Sequence, residues 1–112
     1  MKINTDFTTE VLLKYHYVDK DIFVKLTDES DILTMKQILS GYPFKDSPTC
    51  GFTTDISITM TNGSKSIVFC PACDGCPLLL INDSGKYIKI SDEARKRLNE
   101  VLEKQGMTFP CV

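Results

Sequence analysis

Asp55-Ile56-Ser57-Ile58-Thr59-Met60-Thr61-Asn62-Gly63-Ser64-Lys65-Ser66-Ile67-Val68-Phe69-Cys70 carries the clearest hairpin pattern in the chain. Ile56, Ile58 and Met60 alternate with small polar residues, the period of a strand buried on one face. Asn62-Gly63 is a favoured pair for a two-residue hairpin turn, because both residues tolerate positive φ. Residues 64–70 then return along the first strand. With that turn Ile58 stands opposite Ile67 and Ile56 opposite Phe69, so these four define the core face. Cys70 falls opposite Asp55 on the other face, beside Ser57, where its thiol is expected to point away from the core.

The same patterning extends outward. Residues 10–18 alternate Val11, Leu13, Tyr15 and Tyr17 against Leu12, Lys14, His16 and Val18, which predicts a strand. A second strand follows at residues 21–26. Thr27 or Asp28 caps a helix with Ile32, Met35 and Leu39 on one face, Leu33 and Ile38 beside it, and Gly41 as its stop. Residues 42–53, with Pro43, Pro48, Cys50 and Gly51, read as a long connection of the kind that often binds a partner. Tyr42 and Phe44 make it a candidate docking surface, unless they tuck into the edge of the core. Residues 76–82 and 86–90 form another hairpin around Asp83-Ser84-Gly85. A last helix begins at Ser91, buries Ala94, Leu98, Val101 and Leu102, and stops at Gly106. Its Arg95, Lys96 and Arg97 read as a solvated basic face. Phe23 to Glu29 and Tyr87 to Glu93 match in residue type at every position, each a strand running into a capped helix. The expectation is one α+β domain over residues 1–112, with an antiparallel sheet of five or six strands and two helices on one face.

The composition is 42% hydrophobic and 25% charged over 112 residues, which is globular rather than disordered. A net charge of −2 gives no basic surface for nucleic acid or an anionic membrane. The longest apolar run, Leu78 to Ile81, is too short to span a bilayer. Residues 1–6 lack the apolar core of a signal peptide, and five cysteines leave one unpaired, so a reducing cytoplasm is the expected location. Oligomeric state is not legible.

The chemistry lies in Cys70-Pro71-Ala72-Cys73-Asp74-Gly75-Cys76-Pro77. Three thiols at this spacing can converge on a metal or exchange disulfides. Pro71 argues against a tight hairpin through Asp74-Gly75, because it would occupy a donor position opposite Leu78, so the segment reads as an irregular knuckle. Zinc needs four ligands, and the fourth would be Cys50 or Cys111 ahead of His16. The candidate metal ligands are therefore Cys70, Cys73, Cys76, Cys50 and Cys111, with zinc the candidate cofactor. An iron–sulfur run requires a further cysteine where Leu80 stands. A redox pair of Cys70 and Cys73 lacks the helix N-terminus that lowers a thiol's pKa. Free thiols packed in a loop are the remaining alternative. His16, the only histidine, reads as solvent-facing or structurally hydrogen-bonded. No phosphate loop or paired-carboxylate motif is present.

Cys50-Gly51-Phe52, Asp74-Gly75-Cys76 and Phe109-Pro110-Cys111 resemble the motifs of a group of small bacterial single-domain proteins without established activity. That resemblance covers about the C-terminal two-thirds and implies a sheet hairpin preceding a terminal helix. The favoured reading is a non-catalytic binding or regulatory module whose cysteine knuckle holds zinc. Two others stay open: a thiol–disulfide oxidoreductase using Cys70 and Cys73, with Cys76 as resolving thiol, and an interaction module that grips a protein through residues 42–53, its cysteines incidental.

Overall fold

In the computed structural model the Asp55–Cys70 stretch does form a hairpin, but with a longer turn than Asn62-Gly63 alone. Thr61 pairs with Ser66 and Ile58 with Phe69, leaving residues 62–65 as a four-residue loop. Side chains hold that loop open. The Asn62 Oδ1 accepts from the backbone N–H groups of Ser64 and Lys65, and the Thr61 hydroxyl accepts from Gly63 and donates to the Lys65 carbonyl. The register therefore moves by two residues. A two-residue shift preserves side-chain parity, so Ile56, Ile58, Ile67 and Phe69 still share one face.

The structure describes residues 4–46, 51–52, 55–72 and 76–107. In chain order the elements are β1 (Glu10–Tyr17), β2 (Lys20–Leu26), α1 (Glu29–Ile38), β3 (Tyr42–Phe44), β4 (Ile56–Thr61), β5 (Ser66–Pro71), β6 (Leu78–Ile81), β7 (Lys86–Lys89) and α2 (Asp92–Lys104). The strands form one sheet in the order β2-β1-β4-β5-β6-β7-β3, and every neighbouring pair is antiparallel. The fold is α+β as expected, with seven strands among the described residues instead of five or six. The additional strand is β3, which opens the segment expected to be an irregular connection and pairs with β7 at the far edge. Three residues carrying a central proline give too short a pattern to read as a strand.

Both helices pack on the face that carries Leu13, Ile58 and Phe69. Ile32, Met35, Ile38 and Leu39 join them from α1 and its C-terminal end, and Leu98 and Leu102 join from α2, all in one apolar cluster. Full burial of each such side chain contributes about 1.5–3 kcal/mol. Asp28 is the N-cap of α1, accepting from Ser30 N–H, and Ser91 caps α2 by accepting from Ala94 N–H. Leu33, expected beside the buried face, stays 56% exposed. Gly41 serves a closer purpose than stopping α1. A Cβ there would lie 2.6 Å from the carbonyl oxygen of Lys89, so the absence of a side chain lets the chain pass against β7. The matched segments at Phe23 and Tyr87 are indeed strands leading into capped helices.

Candidate functional site: the cysteine knuckle

β5 runs through Pro71, and the Ala72 N–H donates to the Leu78 carbonyl at 3.2 Å. Pro71 pairs with Leu79, one residue beyond the pairing that the sequence argued against. In that register its donor-less nitrogen turns away from β6, toward β4, and the β4–β5 ladder ends at Ile58 and Phe69. The proline thus limits one ladder while tolerating the other. The knuckle is the connection that follows, closed by β6 from Leu78 onward.

Arg95 fastens both arms of this connection to α2. Its Nη2 donates to the Ala72 carbonyl at 2.7 Å, its Nη1 to the Cys76 carbonyl at 3.1 Å, and its Nε to Asn99 Oδ1 at 2.9 Å. The side chain is only 3% exposed. This corrects the reading of Arg95 as part of a solvated basic face. Arg95, Leu98 and Leu102 follow i, i+3, i+7 spacing and so share the inward stripe of the helix. That phase was the available signal, and the run of three cations obscured it. A planar fork with five donors suits adjacent carbonyls better than a lysine would.

Cys70 lies on β5 next to Phe69 and therefore on the helix-free face, as expected. It is nevertheless 1% exposed and its thiol is free. Register places it in a row with Leu80, Tyr87 and Phe44. Phe52 lies against Tyr87 with ring centroids 5.1 Å apart, and its backbone bridges Ala72, so Phe52 lies over this end of the face. Burial pushes the Cys70 thiol up from its ordinary pKa. A protonated, buried thiol is neither a nucleophile nor a ready metal ligand. The expectation that Cys70 points to solvent is corrected by its burial.

Cys76 is disulfide-bonded. Cys70 is free, and Cys50, Cys73 and Cys111 lie outside the described residues. Of the five candidate ligands, the structure thus places Cys70 and Cys76 at the two ends of the knuckle, one buried as a thiol and one oxidised. Among the described residues no three His, Cys, Asp or Glu side chains group as a metal site. His16 sits elsewhere, exposed on β1, with its Nδ1 hydrogen-bonded to the Asp21 carboxylate. That bond, followed by the charge of Asp21, raises the pKa of His16 above its usual value, with a smaller contribution from Asp55. No helix among the described residues is long and apolar enough to cross a membrane.

In comparisons with known proteins, no family model matches the chain, and neither a curated protein nor a solved structure matches it significantly.

Proposed function

We propose that this chain is a non-catalytic binding module in which the cysteine knuckle is a structural fastening. The observation that carries this reading is the placement of Arg95, which spends a buried guanidinium on two backbone carbonyls of the knuckle. Fixing a connection so firmly shapes a surface, whereas thiol exchange needs an accessible, low-pKa sulfur. The buried thiol of Cys70 weighs against the oxidoreductase reading for the same reason. A zinc site on Cys70, Cys73 and Cys76 with Cys50 or Cys111 would require Cys76 reduced and Cys70 drawn from beneath its cover. It is the less favoured reading. The cytoplasmic location, read from an odd cysteine count, also belongs to this proposal. The Cys76 disulfide weighs against it, since reducing compartments keep thiols reduced.

The surface we assign to a protein partner is the start of the 42–53 segment. Tyr42 is 55% exposed at the sheet edge, next to an open depression lined by Pro43, Phe44, Lys45, Asp46, Lys86 and Tyr87. An aromatic at the rim of such a depression is a typical anchor for protein recognition. The test is site-specific photo-crosslinking in the producing cell. A photoreactive phenylalanine analogue at Tyr42 is expected to give a discrete adduct, and the same analogue at Lys96 on the outer side of α2 none. Equal labelling from both positions, or none from Tyr42, would overturn the assignment.

A further inference from the structure

The two edges of the sheet differ in what their outer sides offer. At the β3 edge, Ile90 N–H donates to the Pro77 carbonyl, so alternate residues of β7 turn toward β6 and Lys89 and Tyr87 turn toward β3. Their partners Tyr42 and Phe44 face inward, which leaves Pro43 at the outward position with no N–H to donate. Three residues with a proline at the centre make a blunted edge.

The β2 edge is different. His16 N–H donates to the Asp55 carbonyl, so His16 faces β4 and its neighbours Tyr15 and Tyr17 face β2. Their partners Ile22 and Lys20 therefore turn inward, and Asp21, Phe23 and Lys25 present backbone N–H and C=O groups outward. The pairing with β1 is continuous over seven residues, with no bulge and no proline. Among the described residues no strand pairs with its outer side. Phe23 stands 61% exposed at its centre.

We infer that the outer edge of β2 is a self-association surface whose partner is a second copy of this chain, paired antiparallel about a two-fold axis at Phe23. In that register Phe23 opposes Phe23 of the second copy, and Asp21 opposes its Lys25, twice by symmetry. Every outward residue is paired, and each ladder position joins groups that both face outward. No other antiparallel register pairs all three. Centring on Asp21 or Lys25 instead sets like charges against each other, which is the discrimination expected of a specified register. Edge charges alone commonly serve to prevent pairing. Here their order, acid–aromatic–base, is self-complementary when reversed. Asp21 would lie between His16 and the opposing Lys25, and Lys25 already reaches Glu10 at 2.8 Å on its own chain. The exposed aromatic ring, beneath Lys14 at 5.8 Å, would gain a second ring as cover.

Sedimentation velocity over a concentration series tests this with a charge cycle. Wild-type protein is expected to show a monomer–dimer equilibrium. Asp21→Lys and Lys25→Asp should each weaken it by about tenfold or more, and the double exchange should restore it. Thermal melts of the same variants report whether the fold is kept, and Phe23→Thr, which leaves the charges intact, should also weaken the dimer. A protein that stays monomeric up to ~1 mM overturns the proposal. So does a dimer indifferent to the single exchanges, or one that the double exchange fails to restore.

Discussion

Replacing Arg95 by Met removes the guanidinium while keeping a long apolar stem in the helix. The Ala72 carbonyl then loses a charged donor inside the protein, and the Cys76 carbonyl loses one in a partly buried setting. A buried acceptor left without a partner costs about 1–3 kcal/mol, and the partly exposed one less because water can reach it. Relief from desolvating the cation returns part of this, so the net loss is about 2–3 kcal/mol. For a chain of 112 residues this is a melting temperature lower by about 8–13 °C. The assay is urea or thermal unfolding, with Lys96→Met, exposed one position along, as the control. That control should shift stability by less than about 0.5 kcal/mol. Arg95→Lys should fall between, because one ammonium cannot reproduce the fork. Hydrogen exchange at the Ala72 amide should accelerate in the Met variant before the α2 core does. If Arg95→Met unfolds within about 0.5 kcal/mol of wild type, the clamp contributes nothing to stability.

Three further outcomes follow from the geometry. Gly41→Ala should destabilise by about 1–3 kcal/mol in urea unfolding, because its methyl meets the Lys89 carbonyl; an unchanged midpoint would show that the backbone yields freely. Val18, in the Tyr17–Lys20 turn, has φ of 59°, unfavourable for a β-branched residue, so Val18→Gly is expected to raise stability by about 1 kcal/mol, measured the same way. The single histidine allows a clean NMR titration. Its folded pKa is raised by Asp21, so the pair's contribution is present below the unfolded pKa of about 6.5 and is lost as pH rises through the folded value. Asp21→Asn should bring the His16 midpoint back toward 6.5, and an unmoved midpoint would remove Asp21 as the cause.

Much of the fold was legible because local signals agreed with it. Alternation in residues 55–61, the caps Asp28 and Ser91 and the apolar stripe of α2 all correspond to observed elements. What escaped was set by tertiary context or by side chains acting on the backbone. The four-residue turn depends on Asn62 Oδ1 and the Thr61 hydroxyl, which propensity for Asn-Gly does not express. β3 exists because β7 offers a partner. At the knuckle, the burial of Cys70 was not legible. Cys70 lies on the expected face, yet it is 1% exposed, and Phe52, which packs on Tyr87 at that end of the face, comes from another part of the chain. Arg95 was hidden in a basic run whose helical phase turns only one of the three cations fully inward.

As a fastening rather than a site of thiolate chemistry, the proposed knuckle should keep Cys70 shielded and Cys76 oxidised. Native-state alkylation followed by peptide mapping tests it most directly, on protein purified without reductant, chelator or metal-affinity tag. Cys70 is expected to resist labelling until the protein is unfolded, and Cys76 to be labelled only after reduction. Elemental analysis is expected to find zinc well below one equivalent. Rapid labelling of Cys70 in the native state at pH 6, or an equivalent of zinc released as Cys70 and Cys76 become reactive together, would contradict the fastening role.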